Sequence, residues 1–200
     1  MISALFKHWG LQLPPIRTAR LRLVAITPEM LGAETMGRTA VGELLRATAP
    51  ADWPPEHWES SVWVHILAQY RAAPNTFGWH RYMVAEGRDE QPPQLIGCLG
   101  GFPCANGDVE MGYSVADSSQ RRGFGGEAAC ALMAWLLRQP EVRSVSAQAY
   151  ETSPASIRIM QHCDMVPVGS GDHPGTVRYR RWRSSAEDLR VQLNKTTTTT

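Results

Sequence analysis

Residues 109–137 constrain this chain more than any other stretch. Residues 109–115, Val-Glu-Met-Gly-Tyr-Ser-Val, form a strand pattern that runs into a polar turn, Ala116-Asp117-Ser118-Ser119. Gln120, Arg121, Arg122, Gly123, Phe124, Gly125 and Gly126 follow, and a helix begins there and stops before Pro140. The first backbone N–H groups of a helix have no partner inside it and carry the positive end of its dipole. Glycines let a ligand come close to that backbone, and two arginines add full charges. The segment therefore suits an anion such as a pyrophosphate. The plainer alternative is a tight turn flanked by solvated arginines.

Gly123, Gly125 and Ala128 also match the G-x-G-x-x-G/A dinucleotide fingerprint. That fingerprint follows its strand directly in a parallel βαβ unit. Here seven residues, 116–122, separate strand and glycine, and the preceding strands read as a meander. A nicotinamide-dependent oxidoreductase is the weaker reading.

The rest of the chain gives this segment a frame. A short strand is expected at residues 21–25, and Thr27-Pro28-Glu29 signals a helix start. That helix would run to about Arg46, weakened by Gly32, Gly37 and Gly42, and a second would span residues 55–71. Strands follow at 79–84, 95–101 and 109–115, joined by turns at 87–90 and at Asn106-Gly107. After the helix at 124–138 come a strand (142–150), a helix (154–162) and strands at 165–168 and 176–182. The order predicts one mixed α/β domain at residues 16–183, antiparallel at first, with a helical crossover later. Residues 1–15 read as an arm, and 184–200 as a polar tail ending in five threonines.

Composition narrows the function. At 200 residues, 43% hydrophobic and 20% charged, the chain has room for one good core. A net charge of +1 provides no field favouring nucleic acid or an anionic membrane. No stretch suits a signal peptide or a membrane span, so a cytoplasmic protein is expected. Cys98, Cys104, Cys130 and Cys163 show no metal-ligand spacing. They are expected to be small core residues in a reducing compartment, and no metal is expected.

Four features resemble one family, the GNAT N-acetyltransferases. Gln120-x-x-Gly123-x-Gly125 matches their Q/R-x-x-G-x-G/A signature. Glu110-Met111-Gly112-Tyr113 resembles the E-x-G-Y strand of the branch that contains ribosomal-protein N-terminal acetyltransferases. Ser153-Pro154-Ala155-Ser156-Ile157-Arg158 resembles its N-x-A-S-I-R helix start, and Thr18-Ala19-Arg20-Leu21-Arg22-Leu23 its T-x-R-L-x-L first strand. The resemblance implies a twisted, mostly antiparallel sheet with helices on both faces, and transfer of acetyl from acetyl-CoA to an amine, a protein N-terminus or a small molecule. A homodimer is compatible with it. A CoA-binding module without catalysis is the alternative.

By the same resemblance, two strands would splay around the pantetheine arm, with Tyr113, Ser114 and Val115 offering backbone groups to it and polarising the thioester. Gln120, Arg121, Arg122, Gly123, Phe124, Gly125 and Gly126 would hold the pyrophosphate, and Ser153 and Ser156 would lie nearby. Glu110 would be the general base and Tyr150 the candidate acid. Residues 157–163 lack the tyrosine that many relatives use, Ser153 stands where asparagine is usual, and Asp164-Met165 replaces Gly-Phe. Trp53, Trp58, Trp63 and Trp79 are expected in core packing, with an acceptor pocket as the other reading. Arg178, Arg180, Arg181 and Arg183 are expected to guard an edge strand. His57 and His65 are expected at the surface or in packing.

Overall fold

A computed structural model of the protein describes residues 13–87 and 91–184. Eight strands form one sheet in the order β1-β2-β3-β4-β5-β6-β8-β7. They are β1 (Ile16–Arg17), β2 (Leu21–Ala25), β3 (Arg81–Ala85), β4 (Gln94–Pro103), β5 (Asp108–Val115), β6 (Ser144–Tyr150), β7 (Val166–Ser170) and β8 (Thr176–Trp182). Every pairing is antiparallel except β5 with β6, which α4 (Phe124–Leu136) connects as a crossover. Helices α1 (Pro28–Glu34), α2 (Arg38–Leu45) and α3 (Ser60–Ala72) precede β3, and α5 (Pro154–His162) follows β6.

Alternation along the strands sorts side chains onto two cores, one per face. Leu21, Leu23, Met83, Ile96, Val109 and Met111 pack with α4 residues such as Leu132 and Leu136. Tyr82, Val84, Leu95 and Cys98 pack on the other face with Leu31, Val41, Ile66 and Tyr70 from α1, α2 and α3. The mixed α/β sheet with helices on both faces agrees with the sequence reading, including the antiparallel first half and the later crossover.

Three local expectations change. The helix expected over residues 27–46 is two helices, because Gly37 (φ 107°) leaves helical geometry and caps α2. The helix expected from Pro55 begins at Ser60, after a loop rich in proline and tryptophan. The arginine-rich strand β8 lies inside the sheet between β6 and β7, so its arginines do not guard an edge. Arg180 pairs with Asp108 (3.1 Å). Arg178 pairs with Asp172 and Glu110, and Arg181 with Asp164. Arg183 donates to the carbonyls of Leu137, Gln139 and Pro140. Residues 1–12 of the arm expected at 1–15, residues 185–200 of the tail and residues 88–90 of the first turn lie outside the described residues. No described helix is long and apolar enough to cross a membrane.

The cysteines depart most from expectation. Cys98 is buried and Cys104 exposed, while Cys130 on α4 and Cys163 at the end of α5 form a disulfide with their Cα atoms 5.0 Å apart. Spacing along the chain could not reveal this pair, because helix packing brings together residues 33 apart. Closing a loop of that length restricts the unfolded chain. Cys130→Ser is therefore expected to lower the unfolding free energy by about 4 kcal/mol, read from the urea midpoint; an unchanged midpoint would show that the two sulfurs are not joined.

Candidate active site

Strands β5 and β6 pair only from Asp108 to Glu110 against Ser144 to Ser146. Both then continue unpaired with each other, β5 to Val115 and β6 to Tyr150. The gap between them is a fork that opens beyond Glu110. The phase of the β4–β5 ladder shows which backbone groups face it. Cys104 N–H donates to the Asp108 carbonyl and Ala116 N–H to the Ile96 carbonyl. The even-numbered residues of β5 therefore bond to β4, and Tyr113 and Val115 turn their backbone N–H groups toward the fork.

A cavity of about 650 Å³ runs from the end of the β5 wall, Tyr113 to Val115, to the start of α4. Of the sequence-expected binding residues, Tyr113, Ser114, Val115, Gln120, Arg121, Gly123, Phe124, Gly125, Gly126, Ser153 and Ser156 line it. Gly123 (φ 80°) caps α4 with no side-chain cap, leaving the first N–H groups of the helix without side-chain partners. Gly125 lies under Ile159 of α5: a Cβ there would meet its Cδ1 at 3.2 Å and the Cγ2 of Val115 at 3.6 Å. Glycine at this place keeps the helix N-terminus open between the two walls.

Two expected ligand-holding residues have other duties. Gln120 spends its amide on the turn, donating to the Val115 carbonyl (3.0 Å) and Asp117 (2.7 Å). Arg122 does not line the cavity. Its guanidinium stacks on Phe124 (4.8 Å), as does that of Arg20 (4.5 Å), and both border a separate hollow of about 240 Å³. Tyr113 donates its hydroxyl to the Ser156 carbonyl (3.2 Å), and burial pushes the phenol up to about 12.

The two expected catalytic residues sit differently. Glu110 is the last β5 residue paired to β6, on the face opposite α4. It accepts from Gln148 Nε2 (2.7 Å) and lies 3.5 Å from Arg178. Tyr150 ends β6, 55% exposed, and neither it nor Glu110 lines either cavity. Between Glu110 and Ser114, Gly112 leaves a bare patch, since a Cβ there would meet nothing within 4 Å.

Clamps from distant parts of the chain hold the glycine turn. Glu127, in the first turn of α4, accepts from Thr18 Oγ1, from the Arg20 backbone N–H and from Arg20 Nε. Burial opposes its ionisation, but these hydrogen bonds prevail and hold its carboxyl below the usual range. Thr18 and Arg20, in the turn between β1 and β2, thus brace the glycine turn. On the other side, Asp52 accepts from Ser118 N–H (2.8 Å) and Oγ (2.9 Å). The Ser118 backbone N–H is the main cause that keeps the Asp52 carboxyl low.

The tryptophans explain how the Asp52 loop is held. Trp53 and Trp58 are buried, and their indole N–H groups donate to Glu34 at 3.1 and 2.9 Å. Tyr82 donates to the same carboxylate at 2.6 Å. A buried carboxylate is costly unless its oxygens are satisfied, and three neutral donors meet that need here. Trp79 is buried as well. The loop carries Glu56 and the exposed His57 to the cavity rim, where Arg158, Ile159 and His162 of α5 also contribute. These residues were not singled out as ligands from sequence, and only the aromatic density of the loop hinted at its anchoring. His65 is exposed, its Nδ1 on the Ser61 carbonyl.

Comparison with known proteins gives the site its relatives. A family model described as an acetyltransferase (GNAT) domain matches residues 20–166. No curated protein matches the chain. Among solved structures, a GNAT-family acetyltransferase from Bacillus anthracis is similar at 15% identity and a TM-score of 0.56, covering 86% of this chain and 99% of its own. A ribosomal-protein alpha-N-acetyltransferase in complex with coenzyme A is similar at 18% identity and 0.54, with 82% and 95% covered. A spermidine N-acetyltransferase from Vibrio cholerae, in complex with CoA and spermine, is similar at 15% identity and 0.54, with 83% and 97% covered. At these identities the structures speak for the fold alone.

Two outcomes are expected. Gly125→Val drives a branched side chain against Ile159 and Val115 and should weaken coenzyme A binding at least about tenfold, through overpacking, with the far-ultraviolet circular dichroism unchanged; calorimetry checks this. The Glu127 carboxyl is depressed in the folded state, so its contribution is full above the unfolded carboxylate value of about 4.3 and is lost as pH falls through the folded value. Thermal melts from pH 6 downward should therefore show a shallower loss of stability for Glu127→Gln than for the native chain.

Proposed function

The chain belongs to the GNAT acetyltransferase family, and on that premise we propose that it moves the acetyl group of acetyl-CoA directly to a primary amine. The observation that carries the reading is the fork between β5 and β6, whose β5 wall lines one cavity with the glycine turn at the start of α4. A pantetheine arm laid in the fork continues the interrupted ladder by bonding to the backbone of Tyr113 and Val115. The pyrophosphate meets the N–H groups of Phe124, Gly125 and Gly126 and the positive end of α4, with Arg121 beside it.

With the arm so placed, the thioester comes to the apex of the fork. A backbone N–H of β5 directed into the gap polarises its carbonyl, a contribution of about 3 kcal/mol for one well-aimed donor. The amine approaches over the bare surface at Gly112. Glu110 stands beside that patch and takes the amine's proton, directly or through one water, which contributes about 10²–10⁴-fold in rate; as the C–N bond forms the thioester C–S bond breaks, and the CoA thiolate leaves and takes up a proton from water. Holding the amine against the thioester supplies much of the remainder by removing the entropy of encounter.

The acceptor is an amine on a protein N-terminus or a small molecule; the similar solved structures include enzymes of both kinds. A second reading, a CoA-binding module without catalysis, draws on one observation: both Glu110 oxygens already have neighbours, in Gln148 and Arg178.

The test is release of CoA thiol from acetyl-CoA across a panel of polyamines, other small amines and N-terminal peptides, with Glu110→Gln alongside. Acceptor-dependent release that drops at least about a hundredfold in the variant is the expected result. Tight acetyl-CoA binding with no acceptor-dependent release would instead favour the binding module.

A further inference from the structure

Glu110 is the end point of a hydrogen-bonded chain that begins on the β7–β8 hairpin. Gln148 lies two residues beyond the last β6 residue paired to β5, on the same face as Glu110, and directly opposite Arg178 in β8. Its amide has one orientation, because Oε1 accepts from the Asp172 backbone N–H at 2.8 Å. That leaves Nε2 to donate to Glu110 Oε1 at 2.7 Å and to Asp172 Oδ2 at 3.0 Å. Arg178 reaches the same Asp172 oxygen at 2.5 Å and stands 3.5 Å from Glu110 Oε2. Asp172 thus fixes both groups that touch Glu110.

The hairpin is shaped to make this contact. A Cβ at Gly171 would meet Gln148 Oε1 at 2.4 Å and Thr176 Oγ1 at 2.3 Å, so the backbone closes over Gln148 only because position 171 is bare. Gly175 (φ 76°) and the bond from Thr176 Oγ1 to the His173 carbonyl (2.6 Å) bring the chain back. Hydrogen bonds from Gln148 and Arg178 hold the Asp172 carboxyl below its usual range, so it is ionised in ordinary buffers. The neighbouring carboxylate, Asp108, offers a contrast. It accepts from Ser144, Ser146 and Arg180 inside the paired part of the strands, and these bonds hold the strands together. The bonds to Glu110 lie where the strands part.

We infer that Gln148, Arg178 and Asp172 are positioning residues that hold the Glu110 carboxylate in one orientation at the apex of the fork, so that the β7–β8 hairpin sets the rate of acetyl transfer without touching acetyl-CoA. The inference rests on Glu110 acting as the base. Gln148 holds one oxygen of Glu110 through a neutral donor, which fixes the carboxylate plane and leaves the remaining lone pairs to face the amine. Asp172 keeps Gln148 from rotating and shares the Arg178 charge, so that Arg178 does not swing wholly onto Glu110.

A double-mutant cycle tests this, using the best acceptor of the amine panel. Gln148→Leu should lower kcat about tenfold with the acceptor KM and the CoA dissociation constant within about twofold. Asp172→Asn, at an exposed position that does not put folding at risk, should lower kcat about threefold in the same way. In the Glu110→Gln background neither change should cost anything further, because there is no longer a base to position. Crystal structures should show Glu110 in one orientation in the native chain and in more than one in Gln148→Leu. Native kcat in both single variants, or losses that persist undiminished in the Glu110→Gln background, would overturn the inference while leaving the base in place. Full activity of Glu110→Gln alone would instead remove the base, and an amine panel without an acceptor would remove the transferase reading; this inference falls with either.

Discussion

Everything in this protein's site follows from two parallel strands that stop pairing. A parallel ladder bonds evenly along its length, and breaking one leaves backbone N–H and carbonyl groups that need partners. Strands β5 and β6 keep three residue pairs and then separate. The groups left over point into a gap whose far end is the N-terminus of α4, another place where backbone donors lack partners. One extended ligand with amides at one end and an anion at the other can satisfy both.

Unpaired backbone is useful only if it stays in place, and much of the surrounding chain keeps it there. Glu127 joins the turn between β1 and β2 to the glycine turn through Thr18 and Arg20. Asp52 joins the tryptophan loop to the preceding turn, and that loop is secured in turn by Glu34 in the second core. The Cys130–Cys163 bond ties α4 to α5, the two helices on either side of the cavity. These ties originate on both faces of the sheet, so the cavity is held from several directions.

Much of the fold was legible because its signals are local. Asn106 and Gly107 both have positive φ, as the Asn-Gly pair implied, and α5 spans the residues its Pro154 start indicated. The glycine turn could be read from residue type and order, since glycine best tolerates φ 80° at position 123 and the close approach at 125. Tertiary pairings escaped the sequence. Nothing local marks Cys130 and Cys163 as partners, Glu34 as the acceptor for two indoles, or β8 as an interior strand, because each depends on which segments pack together. Arg121 and Arg122 show the finer limit. Adjacent and identical, they part at the turn, one lining the cavity and one stacked on Phe124.

The most direct test of the account is a crystal structure with a non-hydrolysable acetyl-CoA thioether. The account predicts the pantetheine arm between β5 and β6, bonded to the backbone of Tyr113 and Val115, with the pyrophosphate on the N–H groups of residues 124–126 and the acetyl carbon on the Glu110 side of the fork. A ligand seated elsewhere, with β5 and β6 unoccupied between Glu110 and Val115, would contradict it.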